Sequence, residues 1–348
     1  MADNPYYDGT KLLSLLDADD LKPEIYICTS NRTAGKTTYW SRYLVNRFIK
    51  YHEKFMLIYR NAGDLEGDVS NKFFKDVGFL FFPDYIMTHK AMKEGYCELF
   101  LNDVSCGYAV SLYNSKKVKE CSHLFSDVAR MMFDEFMPED NRYLPDEPDR
   151  LQSIHMSVAR GQSKMVRYVP CIMVSNPVTL LNPYYIKWGI SDRLRSNTKF
   201  LRGTGWVLEQ GFNETASAAQ MESGFNRAYG SSKYMQYAAQ GTYLNDTTTF
   251  IEKIQGEKSR YLATIKYQGQ NYAIREYPER GILYCDDHPD ITRPIRISVT
   301  TEDHDINYVM LKRSDTFIAY FRYFFDRGCF RFKNLKCKEA VFKMLSYS

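Results

Sequence analysis

The stretch Ser30-Asn31-Arg32-Thr33-Ala34-Gly35-Lys36-Thr37 lies between a short apolar run, Glu24 to Ser30, and a segment with helical spacing, Lys36 to Lys50. A strand that breaks into a Gly-Lys-Thr turn and continues as a helix is the phosphate-loop arrangement. It commits this part of the chain to an α/β sheet. Gly35 lets the backbone curl so that successive N–H groups converge on an anion. Lys36 offers a mobile charge for β- and γ-phosphates, and the Thr37 hydroxyl suits a Mg²⁺ ion. The helix that follows adds the partial positive charge of its N-terminus. The expected ATP cradle therefore runs through Ser30, Asn31, Arg32, Thr33, Ala34, Gly35, Lys36, Thr37 and Thr38. Ser30 stands where the pattern has its first Gly, and Ser tolerates an unusual φ less well. A bare Gly-Lys-Thr would be a weak signal; the strand before it and the helix after it make it a stronger one.

Further strand-like runs are Phe55 to Arg60, Val128 to Phe133 and Val169 to Val174, with a hairpin between Glu98 and Leu112 around Asn102-Asp103 and a helix over Asp149 to Arg160. Strands alternating with helices predict an open α/β sheet over roughly the first 200 residues. The pattern changes after about Gln210. Gly211 to Asp246 is small and polar, punctuated by Gly211, Gly224, Gly230 and Gly241 around short helical stretches such as Thr215 to Met221, and reads as a linker or small lid. Beyond it come short strands, Thr248 to Ile254, Arg260 to Tyr267, Gln270 to Arg275, Ile282 to Cys285 and Ile295 to Val299. Helices follow at Asp315 to Asp326 and Lys336 to Leu345. The expected organisation is an α/β domain over residues 1–210, a linker over 211–247 and an α+β domain over 248–348.

A P-loop hydrolase needs a carboxylate at a strand tip to hold the metal shell. Asp134, ending the run Val128 to Phe133, would face Thr37 across Mg²⁺, and Glu135 would polarise the attacking water. Taken alone, Asp-Glu after a strand is an ordinary solvated loop. Ser175 and Asn176, after the strand Val169 to Val174, are placed to sense the γ-phosphate, or simply form an Asn-Pro turn. Arg160, ending its helix before Gly161, could reach a neighbouring subunit's site as an arginine finger, with Arg167 the competing candidate. Action in trans would need a head-to-tail ring.

The balance of 46 basic and 42 acidic residues, net +4, is too mild to establish a nucleic-acid partner but leaves room for a local basic patch. Lys116, Lys117 and Lys119, with Asn114 and Ser115, form such a patch in the loop after the hairpin. They would grip DNA phosphates if that loop faced a channel. Asp286-Asp287-His288, near Asp290, could bind a divalent metal, although no second cluster accompanies it. Eight cysteines without CxxC spacing read as reduced thiols, most of them in the core. With no signal-like start and no membrane-length apolar run, the expectation is a cytosolic chain with no membrane partner.

Several short stretches together resemble the DNA-packaging ATPases, of large-terminase type, of small phi-twenty-nine-like podoviruses. They are Asn46-Arg47-Phe48-Ile49-Lys50-Tyr51, Phe133-Asp134-Glu135-Phe136, Val174-Ser175-Asn176, Asn182-Pro183-Tyr184 and Phe250-Ile251-Glu252-Lys253, spread over nearly the full length. The resemblance implies a P-loop ATPase domain of the additional-strand (ASCE) class, RecA-like, with a linker domain and a ribonuclease-H-like C-terminal domain that has lost its cleavage centre. It implies a homomeric ring, a pentamer, at the portal of a prohead in the host cytoplasm, driving double-stranded DNA inward; some relatives add a structural RNA. It puts Arg160 where the family's trans-acting arginine falls, and the lysines in the region of its channel loop. Ser30 and Thr33 replace glycines of the family's loop, and Ala62 stands near a place where relatives carry a basic residue. The competing functions are a helicase, a terminase that also cuts, and an assembly protein that binds ATP without hydrolysing it.

Overall fold

The computed structural model describes residues 6–65, 69–140, 142–161, 163–180, 182–194, 198–229, 238, 250–310 and 315–347. The chain divides into two compact units, Met1–Asn245 and Asp246–Ser348. The first is built on nine strands: β1 (Ile25–Thr29), β2 (Lys54–Tyr59), β3 (Met87–Ala91), β4 (Cys97–Leu101), β5 (Val104–Ser111), β6 (Val128–Asp134), β7 (Cys171–Ser175), β8 (Phe200–Gly203) and β9 (Trp206–Gln210). They lie in the order β3-β4-β5-β2-β6-β7-β1-β9-β8. From β5 to β9 every pairing is parallel, while β3-β4, β4-β5 and β8-β9 are antiparallel.

Side-chain alternation explains why the central strands read as unbroken apolar runs. Ile27, Met56, Ile58, Met131, Phe133 and Met173 enter one core. Their neighbours Tyr26, Cys28, Phe55, Leu57, Met132, Ile172 and Val174 enter the other. Both faces are therefore buried, as a parallel sheet with helices on each side requires. Helix α2 (Lys36–Tyr51) covers one face with Trp40, Leu44, Val45 and Phe48. Helix α5 (Glu147–Val158) covers the other with Leu151, Ile154 and Val158.

The second unit holds β10 (Arg260–Tyr267), β11 (Gln270–Tyr277), β12 (Ile282–Asp286), β13 (Arg296–Ser298) and β14 (Phe330–Phe332), ordered β13-β10-β11-β12-β14. An antiparallel meander, β10 to β12, gains a parallel strand on each edge. Helices Thr316–Asp326 and Leu335–Tyr347 bury Phe321 and Val341 with Ile265, Ile274 and Leu283 of the sheet.

Several elements differ from the sequence reading. The hairpin gains a third strand, β3, whose mostly exposed Met-Thr-His-Lys-Ala carries no apolar run. Helix α3 (Val69–Phe81) was not anticipated, nor were β8, β9 and β14. Of the expected strand Thr248 to Ile254, residues 248 and 249 lie outside the described residues, and Ile251 makes only an isolated bridge to Phe332. The linker's described part holds two short helices, α8 (Glu214–Glu222) and α9 (Gly224–Tyr229). Its residues 230–237 and 239–247, with Gly230 and Gly241, lie outside the described residues. All eight cysteines are free thiols, and six are buried. Among the described residues no helix is long and apolar enough to cross a membrane.

Candidate nucleotide site

The carboxyl ends of β6, β7 and β1 stand side by side, with Asp134 opposite Val174 and Val174 opposite Cys28. An open α/β sheet binds ligands at this edge. A cavity of about 870 Å³ opens there, bounded among others by Tyr39, Lys36, Thr37, Asp134, Glu135 and Asn176. Its size suits a nucleotide.

Gly35, φ 88°, makes the left-handed turn from which α2 starts. The strain expected at Ser30 falls elsewhere. Thr33 takes φ 60°, whereas Ser30 is not among the positive-φ residues. A β-branched residue in that region costs ~1–3 kcal/mol, so Thr33 rather than Ser30 bears the departure from glycine. Ser30 and Asn31 are buried beneath the loop. The Asn31 side chain does not face the cavity: its amide donates to Asn213 O at 3.0 Å and its oxygen accepts from Asn213 N at 2.9 Å. The start of α8 thereby tethers the loop from below. The N-terminal segment ties it from the other side, through Tyr7 N to Ala34 O at 2.8 Å. Arg32 pairs with Glu139, a partner the sequence did not suggest.

Lys36 is 6% exposed. Its ammonium donates to Ser30 O (2.9 Å), Asn31 O (3.1 Å) and Asn176 Oδ1 (3.0 Å). Burial depresses its pKa to about 8, partly offset by Cys28 and Asp134. The Thr37 hydroxyl donates to Asp134 Oδ1 at 3.3 Å. Desolvation and then the charge of Glu135 push the Asp134 carboxyl up to about 6. A cation and a carboxylate are thus both held at a cost that opposite charge in the cavity would relieve. Thr37 and Asp134 form an all-oxygen pair of the kind Mg²⁺ takes when phosphates complete its shell.

Glu135 follows β6 with φ 55°, a left-handed conformation that turns the chain out of the sheet. Its N–H donates to Asp134 Oδ1 at 3.0 Å. Of the pair Ser175-Asn176, Asn176 reaches the cavity, where its Oδ1 accepts from Lys36. Ser175 instead exchanges hydrogen bonds with the Met137 backbone, at 3.2 and 3.3 Å, and braces the loop behind Glu135.

The two arginine candidates separate cleanly. Arg167 spends its guanidinium on Val158 O (2.6 Å), Val128 O (3.0 Å) and Arg160 O (3.4 Å), closing the C-terminal end of α5. Arg160 lies two residues past that helix, exposed, and its guanidinium makes one hydrogen bond among the described residues, to Ser122 Oγ at 3.2 Å. Lys116, Lys117 and Lys119 are exposed, but on a short helix, α4 (Ser115–Glu120), instead of in a loop. Ser115 is buried in that helix and Asn114 turns to Gly95 O, so neither side chain joins the lysines at the surface.

A family profile described as podovirus DNA encapsidation protein (Gp16) matches residues 1–347. The chain belongs to this family. It is 25% identical over 319 residues to the DNA packaging protein of Bacillus phage phi29, covering 90% of each chain. It is 24% identical over 318 residues to that of Bacillus phage B103, covering 90% of this chain and 94% of that protein. Its fold matches a structure of the bacteriophage Phi-29 viral genome packaging motor assembly, with TM-score 0.68 and 24% identity over 98% of this chain and all of that one. A Phi-28 gp11 DNA packaging motor matches with TM-score 0.58 and 17% identity over 98% of both. β7 intervenes between the phosphate-loop strand β1 and the acidic strand β6, which is the extra strand of the ASCE P-loop ATPase fold.

In the C-terminal unit the acidic turn is neutralised by its own neighbours. Asp286 pairs with Arg275 at 2.7 Å, Asp290 with Arg293 at 3.0 Å, and Asp287 with Lys333. Among the described residues no group of three or more His, Cys, Asp or Glu is placed to hold a metal.

Sequence reasoning missed Arg60 and Glu147. Arg60 follows β2 and forms a two-armed ion pair with Glu147, whose side chain is fully buried. An arginine directly after a buried apolar run was the available signal, since a strand end in such a sheet faces the site.

Proposed function

We propose that the chain is an ATP-driven motor subunit that moves double-stranded viral DNA into a prohead, working in a homomeric ring at the portal. The observation that carries this is the meeting of Lys36, Thr37, Asp134 and Glu135 at one sheet edge, with Thr37 and Asp134 3.3 Å apart. Membership of the DNA encapsidation family supports the packaging role.

The loop N–H groups and Lys36 bind the polyphosphate, and Lys36 exchanges its backbone carbonyl partners for phosphate oxygens. Thr37 and Asp134 hold the magnesium ion, which neutralises charge on the β- and γ-phosphates. Glu135 orients and polarises the attacking water. Asn176, on the tip of β7 and bonded to Lys36, registers whether the γ-phosphate is present. Arg160, exposed and barely engaged within its own subunit, stabilises phosphoryl charge in the adjacent one. The lysines of α4 grip DNA phosphates without reading sequence. A pentamer and transient residence at the portal vertex in the host cytoplasm are what the family resemblance implies, and a structural RNA is a partner in some relatives.

The test is steady-state phosphate release by the full chain with proheads and DNA. Glu135→Gln should retain ATP binding and lose hydrolysis by at least ~100-fold, the scale of a displaced general base. Wild-type protein that binds ATP yet never releases phosphate in that assembly would refute the motor and favour a nucleotide-gated assembly protein.

A further inference from the structure

The Glu135 carboxylate has no hydrogen-bond partner among the described residues, so its aim depends on its backbone. That backbone is held at both ends. Its N–H goes to Asp134 Oδ1 at 3.0 Å, and its carbonyl accepts from Arg60 Nη1 at 3.1 Å. Arg60 Nη2 also donates to Phe136 O at 2.8 Å. The guanidinium thus spans the two peptide carbonyls that follow the acidic strand, at the point where φ of 55° would otherwise relax.

Arg60 is fixed in turn. Nε and Nη2 bind Glu147 Oε2 and Oε1 at 2.9 and 3.0 Å, and its side chain is 10% exposed. The rings of Phe133 and Tyr143 lie 5.4 and 5.5 Å from it. Glu147 accepts two more bonds, from Leu144 N at 2.9 Å and Tyr184 OH at 3.0 Å, so its buried carboxylate is fully satisfied. A buried ion pair is seldom a gain in stability over apolar residues of like volume; its best-attested use is to enforce one arrangement.

We propose that Arg60 and Glu147 are positioning residues for Glu135. Arg60 grips the peptide of the water-orienting residue, and Glu147 holds the grip in register. The proposal rests on the reading of Glu135 as that residue. Arg60→Lys isolates it, because a lysine keeps the charge facing Glu147 but lacks the planar fork that reaches both carbonyls.

The experiment compares wild type, Glu135→Gln, Arg60→Lys and the double variant Arg60→Lys/Glu135→Gln, all as full chains with proheads and DNA. It measures kcat for phosphate release and, by calorimetry, the Kd for ATP. Arg60→Lys should lower kcat about 100-fold, as expected for a catalytic group misplaced by ~1 Å, while Kd stays within about twofold. The double variant should be no slower than Glu135→Gln alone, which a purely structural role would not produce. If Arg60→Lys does not fold, Arg60→Met/Glu147→Gln, which removes both charges, is read in the same way. Failure of both to fold, or a folded variant with wild-type kcat, overturns the proposal. Wild-type turnover by Glu135→Gln would instead overturn the reading of Glu135 itself, so the two failures are distinct.

Discussion

Asp134 offers a test that reads the site without turnover. Its carboxyl is raised from the ordinary 3.8 to about 6, by desolvation first and the Glu135 charge second. The folded protein therefore binds this proton more tightly than the unfolded chain, and stability falls as pH climbs between those values. At ~1.4 kcal/mol per pH unit the full penalty at neutral pH is ~3 kcal/mol. Asp134 is half-buried, so water screens part of it, leaving ~1–2 kcal/mol. Asp134→Asn removes the charge and keeps an oxygen for the Thr37 and Glu135 donors. The ligand-free variant should melt ~3–6 °C above wild type near pH 7.5, given the size of the first unit. Near pH 5 the advantage should shrink to about half, because wild-type Asp134 is then mostly protonated. Differential scanning calorimetry at the two pH values decides it. No gain at neutral pH, a loss, or a gain independent of pH would refute the electrostatic account of the site.

Mixing Arg160→Ala with Glu135→Gln subunits should partly restore ATP hydrolysis, since an intact finger would then meet an intact site across some interfaces; no recovery at any ratio would count against action in trans. Arg167→Ala should instead melt several degrees lower, since two carbonyls at the end of α5 and one at the start of β6 lose their donor. Replacing Lys116, Lys117 and Lys119 with Gln should weaken DNA binding on all sequences alike and flatten its dependence on log salt by ~2–3 per subunit, measured by fluorescence anisotropy. An unchanged slope would remove α4 from the DNA path.

Much of the sheet was legible because a strand buried on both faces leaves a continuous apolar run; β1, β2 and β7 do, and β6 does but for Arg130. The hairpin was legible in its turn, where Asn102 and Asp103 take φ of 49° and 61°. Strand β3 was not, since an edge strand with one exposed face needs no apolar pattern. β8 and β9 were missed because Trp206-Val207-Leu208 is too short a buried run to announce a strand. The lysines looked like a loop because Asn-Ser-Lys-Lys carries turn composition, yet Val118 anchors α4 to the core. In the site, Lys36, Thr37, Asp134 and Glu135 were readable from their places after strands. Arg60 and Glu147 were not, because they lie 87 residues apart and their meaning exists only once β2 and α5 are adjacent. The tether from Asn31 to Asn213, 182 residues on, was hidden for the same reason.

The central claim is that the loop ending at Thr37 holds a triphosphate through Lys36. Calorimetric titration of ATP with Mg²⁺ into the full chain tests it most directly. The account predicts one site per chain for wild type and, for Lys36→Ala, affinity lower by about 10- to 100-fold, the value of a charge-assisted hydrogen bond to phosphate. No uptake by wild type, or equal uptake by Lys36→Ala, would contradict it.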